Sequence, residues 1–363
     1  MYMMINIVLS MLFMNVCPAV DQVEELGFSW FPAGRYSHIS HVDLDALKKE
    51  EAWKVYSDHY EFAARDRGLL NLPESFGDYI RVTIATTLRL SIDKEWLKSL
   101  DEKTIASLNS EMSDLFVYQF DYLDDLVSEA AASGEIEDTG LRYQGLKIYS
   151  YRGRGAGGGN ERIYGAATGL GEWLAAADIN QVKILLASGF GTHPNILMNE
   201  NIDEVLDVLE DAGQKWSLSM HGEERAIQME ALRQLEKNQD VIDYMIETNK
   251  KLPIYSVRET LLDEWQITET YIFVFEDEEY VRSMKDVLSA GYEGQGELEK
   301  KSSEYKNSKS VETTEGNKVI VSYVLDEEMM RLENEAAKEW DEMMKKEQEE
   351  REKEGRKKPP QKQ

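Results

Sequence analysis

The clearest pattern along the chain is an apolar, β-rich stretch that ends at an acidic or amide residue, where an amphipathic helix begins. Junctions of this kind lie at Asp43, Asp121, Asn201, Glu276 and Asp326. Asp and Asn side chains accept hydrogen bonds from the free amides of a helix's first turn, and negative charge there opposes the helix dipole. We therefore interpret these residues as helix caps rather than as catalytic groups.

The first four junctions are spaced 78, 80 and 75 residues apart. Regular spacing suggests tandem repetition of an αβ unit, which the slight residue identity between the units leaves open. Further strand-like runs lie at residues 80–87, 145–151, 163–167 and 182–188. Several strands per helix predict an α+β fold with mixed or mainly antiparallel sheets and helices packed on one side.

The longest internal helical pattern covers residues 223–249 and is long enough to bridge two domains, so we place a boundary near Gln214. The tail carries opposite charges three and four residues apart, which supports a solvated helix. Its apolar stripe is able to dock on the domain or to mediate self-association. The predicted organisation is a signal peptide (1–19), an N-terminal α+β domain (20–214), a C-terminal α+β domain (215–325) and a charged helical tail with a disordered end (326–363).

Residues 5–14 are almost wholly apolar, and Cys17-Pro18-Ala19 places small residues just before a cleavage point at Val20. This is the pattern of a secretory signal, and the run is too short to span a bilayer comfortably. It predicts a secreted, periplasmic or cell-surface protein with no transmembrane segment after the leader. A lipid-modified Cys17 and a buried first element are the alternatives.

The formal net charge of −28 excludes one class of partner. Such a surface repels phosphates because it offers no basic stripe to replace their counterions, so no nucleic-acid binding is expected. The chain is 42% hydrophobic and therefore has enough apolar residues for real cores. Because the one cysteine lies in the leader, the mature chain would hold no disulfide and no thiolate metal site.

One polar cluster is a candidate metal site. If the strand before the first helix continues through it, His41, Asp43 and Asp45 share one face. An imidazole and two carboxylates suit a divalent cation. The capping role of Asp43 is the competing interpretation, and no other cofactor is expected.

A glycine-rich segment is the candidate ligand loop. Arg152, Arg154 and Asn160 belong to the run RGRGAGGGN, whose backbone amides and arginines suit a phosphate. No Lys-Ser/Thr pair follows, as a P-loop requires, so a flexible connection between two strands is the alternative. His193, in the turn at 189–194, completes the predicted contact region.

No motif assigns an enzyme class. The chain has no Gly-x-Ser-x-Gly elbow and no His-Glu-x-x-His sequence, and His59, His193 and His221 lack sequence-local partners with catalytic spacing. Acid–base chemistry would therefore have to use carboxylates, of which the chain has 69. That number is too large for the sequence to single out a pair.

The stretch from Phe31-Pro32-Ala33-Gly34 to residues 43–48 (DLDALK) resembles the opening of exported prokaryotic proteins of unknown function. In those proteins a Pro-Ala turn after the leader precedes a strand, an Asp and a helix, and αβ units then repeat. Gly34 stands where an Asp is more usual. The resemblance implies no catalytic residues.

The sequence favours a non-enzymatic surface or periplasmic module that binds an unknown protein or small-molecule ligand. The alternative is a hydrolase of an extracellular polymer that uses paired carboxylates, which requires two carboxyl groups about 5 to 10 Å apart in a pocket. A third class, a structural component that assembles through the tail, predicts an oligomer lost on truncation after Leu325.

Overall fold

The structure is a computed structural model that describes a large part of the chain. The described residues are 27–53, 72–77, 79–90, 113–154, 160–198, 209, 214–235, 238–262, 266–282, 297–326, 328–332, 335, 338 and 339. The predicted leader (1–19), Cys17 and Asn201 lie outside these ranges, as does most of the tail.

The described residues form twelve strands in one sheet, and every neighbouring pair is antiparallel. This confirms the α+β class with a mainly antiparallel sheet. The strands are β1 (Gly34–Asp43), β2 (Arg81–Leu90), β3 (Ser113–Gln119), β4 (Glu137–Tyr143), β5 (Leu146–Arg154), β6 (Asn160–Ala167), β7 (Glu172–Ala176), β8 (Lys215–Ser219), β9 (Tyr255–Leu262), β10 (Ile267–Val274), β11 (Val311–Glu315) and β12 (Lys318–Val324).

Besides a helical segment of the tail that begins at residue 328, six helices accompany the sheet in the described ranges. They are α1 (Leu44–Lys49), α2 (Leu123–Ser133), α3 (Ile179–Gly189), α4 (His221–Leu235), α5 (Gln239–Lys250) and α6 (Glu297–Lys309). Single 3-10 turns lie at Phe28–Trp30, Glu74–Phe76, Ile196–Met198 and Glu278–Tyr280.

The strand order is β11-β12-β10-β9-β8-β1-β2-β3-β7-β6-β5-β4, so β1 and β8 pair at the middle of the sheet. The predicted boundary near Gln214 therefore falls between two halves of one sheet. Residues from both sides of it, such as Tyr36 and Trp216, share one hydrophobic cluster. The two predicted domains are thus joined by strand pairing and by a common core.

The two halves have corresponding topologies. Outward from the middle, β1, β2, β3, β7 and β6 of the first half correspond to β8, β9, β10, β12 and β11 of the second. Asp121 and Glu276 accordingly follow equivalent strands, β3 and β10. Asp43 is the last residue of β1, whose equivalent β8 ends at Ser219. The correspondence is one of strand order between two halves, and tandem repetition at a spacing of about 78 residues stays a prediction.

Both faces of the sheet are covered, whereas the sequence predicted helices on one side. Successive β3 residues alternate between two clusters, with Phe116 and Tyr118 in one and Leu115 and Val117 in the other. We name the face of Tyr118 face A and the face of Val117 face B. Buried residues of α2 belong to the face A cluster and those of α3 to the face B cluster. Strands that are apolar on both sides require cover on both sides.

Two secondary-structure predictions were wrong. Residues 182–188, predicted as a strand, belong to α3, which begins after Asp178 accepts a hydrogen bond from the amide of Asn180 at 2.6 Å. Residues 223–249 form α4 and α5 rather than one helix. Asn238 caps α5 by accepting from the amide of Asp240 at 3.1 Å, and so starts a new helix.

The capping interpretation holds at Asp43 and Asp326, which accept from the amides of Ala46 at 2.8 Å and Met329 at 2.9 Å. At the end of β10 the cap is Asp277 rather than Glu276, and α2 has no side-chain cap.

The tail docks where the structure describes it, because the side chains of Met329, Met330 and Leu332 are buried.

Candidate functional site

The predicted metal residues point to separate partners. Asp43 accepts from Arg81 Nε at 2.8 Å as well as from its capped amide. Asp45 lies beyond the strand, in α1, where its carboxylate pairs with Lys49 Nζ at 2.7 Å. The described residues contain no group of three or more His, Cys, Asp or Glu able to hold a metal ion. The predicted site is therefore not assembled, because the strand ends at Asp43.

His41 is a core residue. Its ring stacks on Trp216 with centroids 5.7 Å apart, and its Nδ1 lies 2.9 Å from Thr83 Oγ1. Burial lowers the pKa of His41 to about 4, and the charge of Arg81 acts in the same direction while Asp43 opposes it. The imidazole is consequently neutral at pH 7.

The two predicted ligand loops lie apart. Arg152 is exposed on β5, and Arg154 pairs with Asn160 where β5 and β6 meet the segment 155–159, which lies outside the described residues. The other loop meets the opposite end of β5, where the hydroxyls of Tyr143 and Thr192 are 3.1 Å apart. Eight residues of strand, about 26 Å, separate the two ends. One joint contact region is therefore not formed.

His193 is buried inside its own turn. Its Nδ1 lies 2.7 Å from the carbonyl oxygen of Pro194 and 3.4 Å from Ser188 Oγ. Only 2% of the residue is exposed. These contacts give the ring a structural role in closing the turn after α3.

A different group of polar residues lies together on face A of the second half of the sheet. We call it the polar band. Because side chains alternate along strands, its members share one face and form adjacent rows across four strands. They are Lys215, Ser217 and Ser219 of β8, Ser256, Arg258 and Thr260 of β9, Glu269 and Tyr271 of β10, and Tyr323 of β12.

Along the same rows, face A of the first half of the sheet differs in chemistry from face A of the second half. Outward from the middle, one row of the first half reads Val42, Val82, Tyr118, Trp173, and the same row of the second half reads Lys215, Thr260, Glu269, Tyr323. In the adjacent row, Ile84 and Phe116 correspond to Arg258 and Tyr271. These rows therefore change from mainly apolar side chains in the first half to polar and charged ones in the second, although charged groups are costly to bury.

Glu269 is the centre of the polar band. Its side chain is fully buried, and its Oε1 accepts from Arg258 Nη2 at 2.7 Å. Its Oε2 accepts a short hydrogen bond from the Tyr323 hydroxyl and lies 3.5 Å from that of Tyr271. Burial, followed by the charge of Glu269, raises the pKa of Tyr323, which keeps that hydroxyl protonated as a donor. Among the described residues, Glu269 is the only buried carboxylate.

One cation, Arg258, contacts this carboxylate, and two lysines lie farther from it. Arg258 stacks on the ring of Tyr271 with its guanidinium carbon 5.4 Å from the centroid, and 40% of its side chain is exposed. Lys215 lies on β8, the strand next to that of Arg258. Burial lowers the pKa of Lys215 to about 8, and the charge of Arg258 lowers it further while Glu269 opposes the change. Lys306 of α6 lies 5.2 Å from the ring centroid of Tyr323.

Two imidazoles lie at the far end of β8 from Lys215. His38 Nδ1 is 3.3 Å from Ser219 Oγ, and His221 Nε2 is 2.9 Å from Ser256 Oγ. The two serines face each other across β8 and β9. Burial lowers the pKa of His221, with a contribution from Arg225, so its ring is neutral at pH 7. The band thus offers hydroxyl groups and imidazole rings at one end and charges at the other.

Sequence reasoning missed the polar band because its members come from four strands. Taken alone, β8 looks like any strand with one solvated face, because Lys215, Ser217 and Ser219 alternate with Trp216 and Leu218. Only the sheet order shows that β8 is central and that its polar face adjoins those of β9 and β10.

Comparison with known proteins adds a distant similarity of fold. No protein-family model matches the chain. No curated protein matches it. Crystal form I of TP0453 has 8% sequence identity and a TM-score of 0.41, over 85% of this chain and 96% of that one. Crystal form III of TP0453 has 7% identity and a TM-score of 0.44, over 85% and 97%. We draw no functional conclusion from values in this range.

Within the described ranges, no helix has both the length and the apolar content needed to cross a bilayer.

Proposed function

We propose that this protein is a non-enzymatic binding module that works outside the cytoplasm and takes a small ligand on the polar band. The observation that carries the proposal is the change along the rows of face A, from Val82, Tyr118 and Ile84 in the first half to Thr260, Glu269 and Arg258 in the second. Polar groups on rigid strands, held by a buried carboxylate, are preorganised for recognition. The apolar leader pattern supports the location.

The binding proposal is tested by a thermal-shift screen of a small-molecule collection that contains neutral, cationic and anionic compounds. Ser217 lies half-buried in the middle of the band, so Ser217→Leu should block it with little effect on the fold. Thr313→Leu is the matched control, because Thr313 is an exposed strand residue of β11 outside the band. We expect compounds that stabilise the wild type and Thr313→Leu but not Ser217→Leu. Stabilisation that Ser217→Leu leaves unchanged would contradict the proposal.

The location is tested by N-terminal sequencing of protein recovered from its native host. We expect a chain that begins at Val20 in the extracytoplasmic fraction. Recovery of the chain with an intact Met1 from the cytoplasm would contradict the export proposal while leaving the binding proposal to its own test.

A further inference from the structure

Arg258 is held in the way that favours recognition of an anionic group. One guanidinium nitrogen is fixed by Glu269 at 2.7 Å, and the planar group stacks on Tyr271. A guanidinium carries five N–H donors in a rigid fork, so fixing one edge orients the rest. With 40% of the side chain exposed, the group remains accessible to solvent. Less conformational entropy is then lost when a carboxylate or phosphate binds to it.

Lys215 places a second positive charge beside this guanidinium. Lys215 faces Thr260, and Arg258 faces Ser217, so the two cations are diagonal neighbours on β8 and β9. Side chains in that relation are within reach of each other. Repulsion by Arg258 contributes more to the pKa of Lys215 than attraction by Glu269 does. The two cations therefore lie close enough to interact, in a chain whose net charge is −28.

We infer that the polar band binds the oxyanion group of its ligand, a carboxylate or a phosphate, between Arg258 and Lys215. This inference rests on the proposed binding function and names the chemical class of the ligand. An oxyanion at that position accepts from the guanidinium fork and the ammonium group, and it lowers the repulsion between them. Ser217, which faces Arg258 across the strand pair, supplies a further hydroxyl donor.

The test is isothermal titration calorimetry with sodium acetate, inorganic phosphate and glucose at pH 7, with the ionic strength held constant by sodium chloride. Arg258→Gln removes the guanidinium, and Arg258→Lys keeps a charge but loses the fork. Lys215→Met is the second variant, which removes the other cation without changing the Glu269 pair. Arg162→Gln is the matched control, since Arg162 also lies over a tyrosine ring, that of Tyr164 at 6.0 Å, but on β6.

We expect acetate or phosphate to bind the wild type and Arg162→Gln equally, and at least tenfold more weakly to Arg258→Gln and Lys215→Met. The affinity of Arg258→Lys should lie between those of the wild type and Arg258→Gln. Equal binding to the wild type and to Arg258→Gln overturns the inference. Binding of glucose that Ser217→Leu abolishes, without any binding of acetate or phosphate, overturns the oxyanion class and leaves the binding module standing. If no probe gives a heat of binding and the thermal-shift screen gives no hit that depends on Ser217, both the oxyanion inference and the binding-module proposal are overturned.

Discussion

Replacing Glu269 separates the contribution of the polar band to stability from its contribution to function. Glu269→Leu deprives Arg258 of its carboxylate partner at 2.7 Å and deprives the Tyr323 hydroxyl of its acceptor. Removing one partner of a buried ion pair costs about 3–5 kcal/mol. Because 40% of the Arg258 side chain is exposed, water replaces part of the lost interaction. We expect the free energy of unfolding to fall by about 2–3 kcal/mol.

The companion variant carries Arg258→Met, Glu269→Leu and Tyr323→Phe together. It replaces Glu269 and its two closest partners by apolar side chains, in rows where the first half of the sheet carries Ile84, Tyr118 and Trp173. Exchange of a buried ion pair for apolar residues is often neutral or stabilising. We therefore expect this variant to return to within about 1 kcal/mol of the wild type, allowing for imperfect packing.

Urea unfolding followed by tryptophan fluorescence and circular dichroism measures both variants. Agreement of the two probes establishes that each transition is two-state. If the triple variant is as unstable as Glu269→Leu alone, the fold requires these polar residues. The comparison between the two halves would then give no reason to assign a binding site to the band.

Three further predictions concern protonation and packing. Between pH 6.5 and 4 the unfolded state protonates His41 and the folded state does not, so acidification to pH 4.5 should remove about 2.5 kcal/mol of stability. Urea unfolding should show this loss in the wild type and not in His41→Phe. A difference in stability between the two proteins that does not change with pH would refute this prediction. Oxyanion affinity should fall as pH rises through about 8, where Lys215 loses its proton; calorimetry at pH 7 and 9.5 checks this, and an unchanged affinity would count against Lys215 as a ligand. Gly165→Ala would place a Cβ 2.2 Å from the buried ring of Trp173, so a loss of about 3 kcal/mol is expected, and a loss below about 0.5 kcal/mol would contradict the packing described.

The class of fold was predictable because it follows from local patterns. Asp43 and Asp326 cap helices at the ends of β-rich runs, as their positions indicate. The strand assigned to residues 182–188 failed because an apolar run of that length does not distinguish a buried strand from a buried helix. In α3 the capping by Asp178 and burial on face B decide the outcome.

The candidate site was not predictable from the sequence, because strand order brings its residues together. Lys215 and Tyr323 are 108 positions apart in the chain but lie in one row of the sheet. The sequence predicted sites at the glycine-rich run near Arg152 and at the cluster around His41, because the polar residues of each are close together in the sequence. The polar band has no such contiguity, and single polar residues in strands usually face solvent.

Chemical-shift mapping of the isotopically labelled protein tests the central claim most directly. Titration with acetate or inorganic phosphate at constant ionic strength should move the amide signals of Ser217, Arg258 and Thr260 along saturating curves. The signals of Ile84, Phe116 and Tyr118, in the same rows of face A but in the first half of the sheet, should stay in place. Shifts of similar size in both halves, or shifts confined to residues outside the band, would contradict the claim that this face of β8, β9 and β10 is the binding surface.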